Sequence, residues 1–191
     1  MLRASVFMAT SLPGDPVTIP AASTLLTDLR DRLLAGPSAT AVLEQWCLER
    51  GLAQDPGLVA HAVPAPERPA SPAQRERLAV PPEALVRYRR VRLTCGPLVL
   101  SEAENWYVPS RLTPAMNWLL ETSEVPFGRV VQALSPSRRT LSLRLLSAAA
   151  IPDKAGLAEP LFAIEALLLR KDGLPLCEVG EVYTGAVLGA A

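Results

Sequence analysis

Residues 85–108 read LVRYRRVRLTCGPLVLSEAENWYV, and alternation along this stretch is the strongest structural signal in the chain. Leu85 to Thr94 and Leu98 to Val108 alternate with a period of two on either side of Cys95-Gly96-Pro97, which predicts a long antiparallel hairpin. In the first of these strands Arg87, Arg89, Val91, Leu93 and Cys95 share one face, and Val86, Tyr88, Arg90, Arg92 and Thr94 share the other. The Val-Leu-Cys face is the one that looks inward. Arg89 then sits beside Val91 on the core side, where a guanidinium is expensive unless an anion partners it.

Working outward, the chain ahead of this hairpin is helical. Ser23 opens a stripe of Leu25, Leu26, Leu29, Leu33 and Leu34 that lines one helical face and stops at Gly36-Pro37. A second helix starts at Ser38, places Val42, Leu43, Trp46 and Cys47 on one side, and closes at Gly51. Val63 to Ala73, VPAPERPASPA, is too rich in proline for helix or ladder and reads as a surface connector and candidate pocket cover. A short helix is expected over Ala73 to Leu78. Behind the hairpin, Thr113-Pro114 caps a helix carrying Met116, Trp118, Leu119 and Leu120. Thr140 to Leu146, Leu161 to Arg170 and Leu174 to Thr184 are further strands, the last two joined at Lys171-Asp172-Gly173. The expected architecture is α+β, a mainly antiparallel sheet with helices packed on one face, in a single domain over residues 23–191 behind an N-terminal arm, residues 1–22.

Composition narrows the function classes. The 191 residues balance 19 Lys+Arg against 19 Asp+Glu, which argues against nucleic acid as a partner. One His and three Cys make a metal site a poor expectation, and no metal or organic cofactor is foreseen. The composition is 49% hydrophobic but only 5% aromatic, so the core is aliphatic, and no run approaches the length of a membrane span. Met1 to Gly14 imitates a signal peptide, but its apolar run, Val6 to Ala9, is too short, so a cytoplasmic protein with reduced, core-packed Cys47, Cys95 and Cys177 is expected.

The final strand repeats the inward charge with opposite sign. Cys177, Val179, Glu181 and Tyr183 share a face, and an inward Glu181 would be desolvated, a state that suits a proton donor. A structural ion pair between Arg89 and Glu181, or a bulge that turns one of them outward, is the plain alternative to a functional pocket. Glu165 has a wholly apolar opposite face and is expected in solvent; His61 has no acidic or nucleophilic neighbour in sequence. G-x-S-x-G, G-x-G-x-x-G and P-loop patterns are absent.

Four stretches together resemble the chorismate lyase family and the related effector-binding domains of bacterial transcription regulators. LVRYRRVRL, Leu85 to Leu93, is similar to the strand that bears the family's carboxylate-binding arginine, here Arg89. AENWYVPSRLTP, Ala103 to Pro114, matches the second strand and the turn into the next helix. EVPFGRVV, Glu124 to Val131, resembles the turn whose amides meet a carboxylate, here Phe127 and Gly128. GLPLCEVGEVYTGAVL, Gly173 to Leu188, resembles the terminal strand with the family's glutamate, Glu181. The family's second arginine is replaced by Asn105, and Arg111 or Arg129 are the candidates to supply its charge.

The resemblance implies a chorismate pyruvate-lyase that releases 4-hydroxybenzoate and pyruvate without a cofactor. Arg89 and Glu181 would be its catalytic residues, with Asn105, Phe127 and Gly128 completing the substrate site. A runner-up from another class is a non-catalytic sensor that binds a small aromatic or cyclohexadiene carboxylate in the same pocket. Asn105 favours the sensor, because an amide hydrogen-bonds an oxygen but brings no charge.

Overall fold

The computed structural model describes residues 21–146 and 156–189. The arm expected over residues 1–22 and the signal-like stretch lie outside this range, apart from Ala21 and Ala22 at the start of the first helix. Helices α1 (Ala22–Ala35) and α2 (Ala39–Arg50) form a hairpin. They are followed by β1 (Leu58–Ala62), α3 (Pro72–Arg77), β2 (Arg87–Cys95) and β3 (Leu98–Tyr107). Then come α4 (Pro114–Thr122), a single turn α5 (Phe127–Val130), and strands β4 (Ser137–Leu145), β5 (Pro160–Leu169) and β6 (Pro175–Thr184). The six strands make one antiparallel sheet in the order β1-β2-β3-β6-β5-β4.

Alternation assigns the two faces as the sequence suggests. On the inner face, Val91, Leu93, Ala103, Ile164, Ala166, Val179 and Tyr183 join Leu29 and Leu33 of α1 and Leu43 and Trp46 of α2 in one aliphatic core. The helices end where their chemistry says they should. Ser38 Oγ accepts from the Ala41 amide, and Gly51 closes α2 at φ +59°, a left-handed conformation that glycine adopts without cost. Thr113 caps α4 through Met116 N, with Pro114 at the first helical position. The buried Trp46 indole donates to Val187 O at 2.7 Å, which ties α2 to the C-terminal turn. Cys47, Cys95 and Cys177 are free and buried.

Several boundaries differ from the sequence expectation. Leu58–Ala62 is a strand on the sheet edge, too short and too closely bracketed by prolines for its alternation to register. Ser23 does not cap α1; Ala21 holds that position without a side-chain bond. Strand β4 starts three residues before Thr140 and carries a bulge between Thr140 and Ser142. The Val63–Ala73 connector lies across the outer face of the sheet, where the Trp106 indole donates to Arg68 O at 3.0 Å, so it does not cover the inner face. Beside it α3, opened by a Ser71–Gln74 capping box, brings Arg77 onto Glu178 in a two-pronged contact of 2.8 and 2.7 Å. Ala70, Leu78, Trp106, Val108 and Leu167 form a second, small core there. Glu165 is exposed, as alternation requires.

No helix among the described residues is long and apolar enough to cross a membrane. The contrast between two leucines of α2 tests the packing. Leu43 is fully buried and Leu48 is 61% exposed. In urea unfolding, Leu43→Ala is expected to cost about 2–5 kcal/mol, and Leu48→Ala no more than about 0.5 kcal/mol.

Candidate functional site

The inner face of the sheet is mostly apolar, and its buried charged groups gather at one place. Arg89 on β2 stands opposite Asn105 on β3, which stands opposite Val179 on β6. One step along the same face, Ala103 stands opposite Glu181. The register therefore gathers Arg89, Asn105 and Glu181 over three adjacent strands. The N-terminal turn of α2 and the Pro126-Phe127-Gly128 turn of α5 close over them, leaving a cavity of about 40 Å³. Arg89, Asn105, Phe127, Gly128 and Glu181 all line it, and so does Arg138 from β4.

Arg89 and Glu181 do not pair with each other. Glu181 instead accepts from Arg138 Nη2 at 2.5 Å, and the Tyr183 hydroxyl donates to the same Oε2 oxygen at 2.9 Å. The side chains of this ion pair are only 3% and 6% exposed. The Tyr183 ring stacks on Phe162, with centroids 4.6 Å apart and planes 11° from parallel. Glu181 is therefore a fixed counter-ion, not the unpartnered inward acid that alternation alone suggests. Burial pulls the Arg138 pKa down, and the Glu181 carboxylate beside it more than offsets that. Burial and the same carboxylate push the Tyr183 hydroxyl well above its ordinary value, so it stays a neutral donor.

Among the described residues Arg89 has no such counter-ion. Burial depresses its pKa, and its Nη1 is enclosed without any hydrogen-bond partner. Arg138 Nε is likewise enclosed and unpartnered. Asn105 is steadied by the Cys177 thiol, 3.7 Å from its Oδ1. Two guanidiniums that line one hollow thus each keep a buried N–H without a partner, beside the positive end of the twelve-residue α2. This arrangement suits an anion.

The rim is narrow. A Cβ added to Gly128 would come within 2.7 Å of Thr40 Oγ1 and 3.0 Å of Ser38 Oγ, so glycine allows α5 to pass this close to α2. Outside the rim lies a wider hollow of about 370 Å³, bounded by Pro37, Ser38, Thr40 and Gly128 on the inner side and by the Arg129–Glu44 ion pair beyond. Neither arginine expected to replace the missing charge reaches the cavity. Arg129 is held by Glu44, and Arg111 donates to the carbonyls of Leu78, Ala79 and Pro175. His61 pairs with Glu124 in solvent at 2.8 Å. Arg138 escapes sequence reading because a strand begun at Thr140 omits it, and the bulge after Thr140 spoils the alternation that would have placed it.

No family model matches the chain. The effector domain of PhnF from Mycobacterium smegmatis superposes with a TM-score of 0.54 at 17% identity, over 78% of this chain and 89% of that domain. A second structure of PhnF from the same organism gives 0.54 at 18% identity, over 85% and 80% of the two chains. These likenesses establish the fold, the antiparallel α+β architecture of chorismate lyase type. Closer in sequence is the uncharacterized protein y4mC of Sinorhizobium fredii (strain NBRC 101917 / NGR234), 40% identical over an alignment of 191 positions that covers 92% of this chain and 80% of that protein. On that identity and coverage, the chain belongs to the y4mC family.

Proposed function

We propose that the chain binds a small organic carboxylate, aromatic or cyclohexadiene in its body, and holds it without turning it over. The observation that carries this reading is the bare Arg89 guanidinium. Leaving a buried donor without an acceptor costs about 1–3 kcal/mol, and a ligand carboxylate removes that cost with charge-assisted bonds. Around it, Val91, Ala103, Val179 and Phe127 offer apolar wall for a ring. The fold is shared with a domain described as the effector domain of PhnF, which supports a binding role.

The cavity is smaller than such a ligand. A water needs about 10–15 Å³ of this kind of space, so 40 Å³ holds roughly three. Seating a ring requires Pro37–Thr40 to move off Gly128 and merge the cavity with the outer hollow.

A lyase reading asks more of the same residues. It needs a proton donor at the ether oxygen, whereas Glu181 accepts from both Arg138 and Tyr183. It also needs a second cation for a dicarboxylate, and Asn105 is neutral. Calorimetric titration with 4-hydroxybenzoate, alongside incubation with chorismate, separates the two. Saturable binding without pyruvate release is expected. Catalytic release of pyruvate would replace this reading with the lyase, and absence of binding would overturn it.

Two substitutions extend the test. Arg89→Met is expected to weaken 4-hydroxybenzoate binding by about 2–4 kcal/mol, since a buried charged partner is lost. The same change should raise the unfolding free energy of the ligand-free protein by about 1 kcal/mol, because an unpaired guanidinium leaves the core. Gly128→Ala should cost about 1–3 kcal/mol of stability through its contact with Thr40, read by urea unfolding.

A further inference from the structure

Among the described residues, the cavity lining contains two guanidiniums and one carboxylate, those of Arg89, Arg138 and Glu181, and no other ionisable acid or base. It therefore carries one net positive charge. We propose that the Arg138–Glu181 ion pair is a charge selector that restricts this cavity to monoanions. The proposal rests on the reading that the cavity holds an organic carboxylate, and adds which carboxylates are admitted.

The geometry makes the pair a fixed part of the wall. Arg138 directs Nη2 into Glu181 at 2.5 Å, and Tyr183 holds the same carboxylate oxygen at 2.9 Å. The tyrosine ring is clamped on Phe162, and both members of the pair are almost fully enclosed. Neither can turn outward to solvent without exposing its partner as a lone buried charge, which is strongly unfavourable. A ligand carboxylate on Arg89 meets an unmatched cation. A second carboxylate on the same ring meets Arg138 already neutralised and Glu181 repelling it, in surroundings where water screens little. Position 105 offers it only an amide. What Arg138 still has to give is its unpartnered Nε–H, a donor suited to an uncharged acceptor such as a hydroxyl or ether oxygen.

The test uses two acids that share a ring and para substitution and differ in charge, 4-hydroxybenzoate and terephthalate. Both are titrated into the wild-type chain, Glu181→Gln, Arg138→Gln and the double variant, with near-ultraviolet circular dichroism confirming that each is folded. Wild type is expected to favour 4-hydroxybenzoate by about 30-fold or more, the scale of a buried like-charge penalty. Glu181→Gln releases Arg138 and should reverse the preference towards terephthalate. Arg138→Gln leaves no net charge and should weaken both acids. The double variant restores one net positive charge, contains no unpaired member of the pair, and should recover the preference for 4-hydroxybenzoate even if a single variant fails to fold. If the wild type binds 4-hydroxybenzoate but Glu181→Gln rejects terephthalate as strongly as the wild type, or the folded double variant does not favour the monoacid, the selector is overturned while the binding reading stands. If no acid binds the wild type, both fall.

Discussion

An ion pair sunk into the inner face of a six-stranded sheet dictates much of what surrounds it. Arg138 and Glu181 come from strands separated by β5, and their contact requires the whole far half of the sheet to be in register. Such a pair adds little net stability, because desolvation consumes most of the Coulomb attraction. What it does provide is a polar floor on which an aliphatic core cannot close. The helices arch over that floor, and the hollow between them is where Arg89 keeps an unused N–H.

The outer face shows how this chain treats arginines that have only a structural task. There Arg68 meets Glu104, Arg77 meets Glu178, and both Arg90 and Arg92 meet Glu102. Each of these guanidiniums is largely open to solvent, and each still meets a carboxylate on a neighbouring strand or helix. Glu102 is held below the usual carboxylate range by its hydrogen bonds from Arg90 and then Arg92. Arg89 on the inner face differs from them: its Nη1 is enclosed and meets no hydrogen-bond partner among the described residues.

Much of this was legible from alternation. Period two across residues 85–108 placed Arg89 on the inner face, and the same rule placed Glu181 there, since a strand's faces follow from its local geometry alone. The partner of Glu181 was not legible. Which strand lies next to which is a long-range property, and the insertion of β6 between β3 and β5 has no local signature. Arg138 was hidden twice, by a strand start placed too late and by a bulge that shifts the pleat. The cover is not legible either, because the proline-rich connector carries no information about which face it crosses. The residues that do close the cavity, Ser38, Thr40 and Gly128, look in sequence like an ordinary helix start and an ordinary turn.

The sheet order has a kinetic meaning. Strands β1-β2-β3 are one meander and β4-β5-β6 another, each built from neighbours in sequence, and only the β3–β6 ladder joins them. Local hairpins form ahead of contacts that close long loops, so the two meanders can assemble separately and meet last. Arg89 and Asn105 belong to the first, Arg138 and Glu181 to the second. The hollow is therefore absent from either half, and it comes into being only when the seam between them zips.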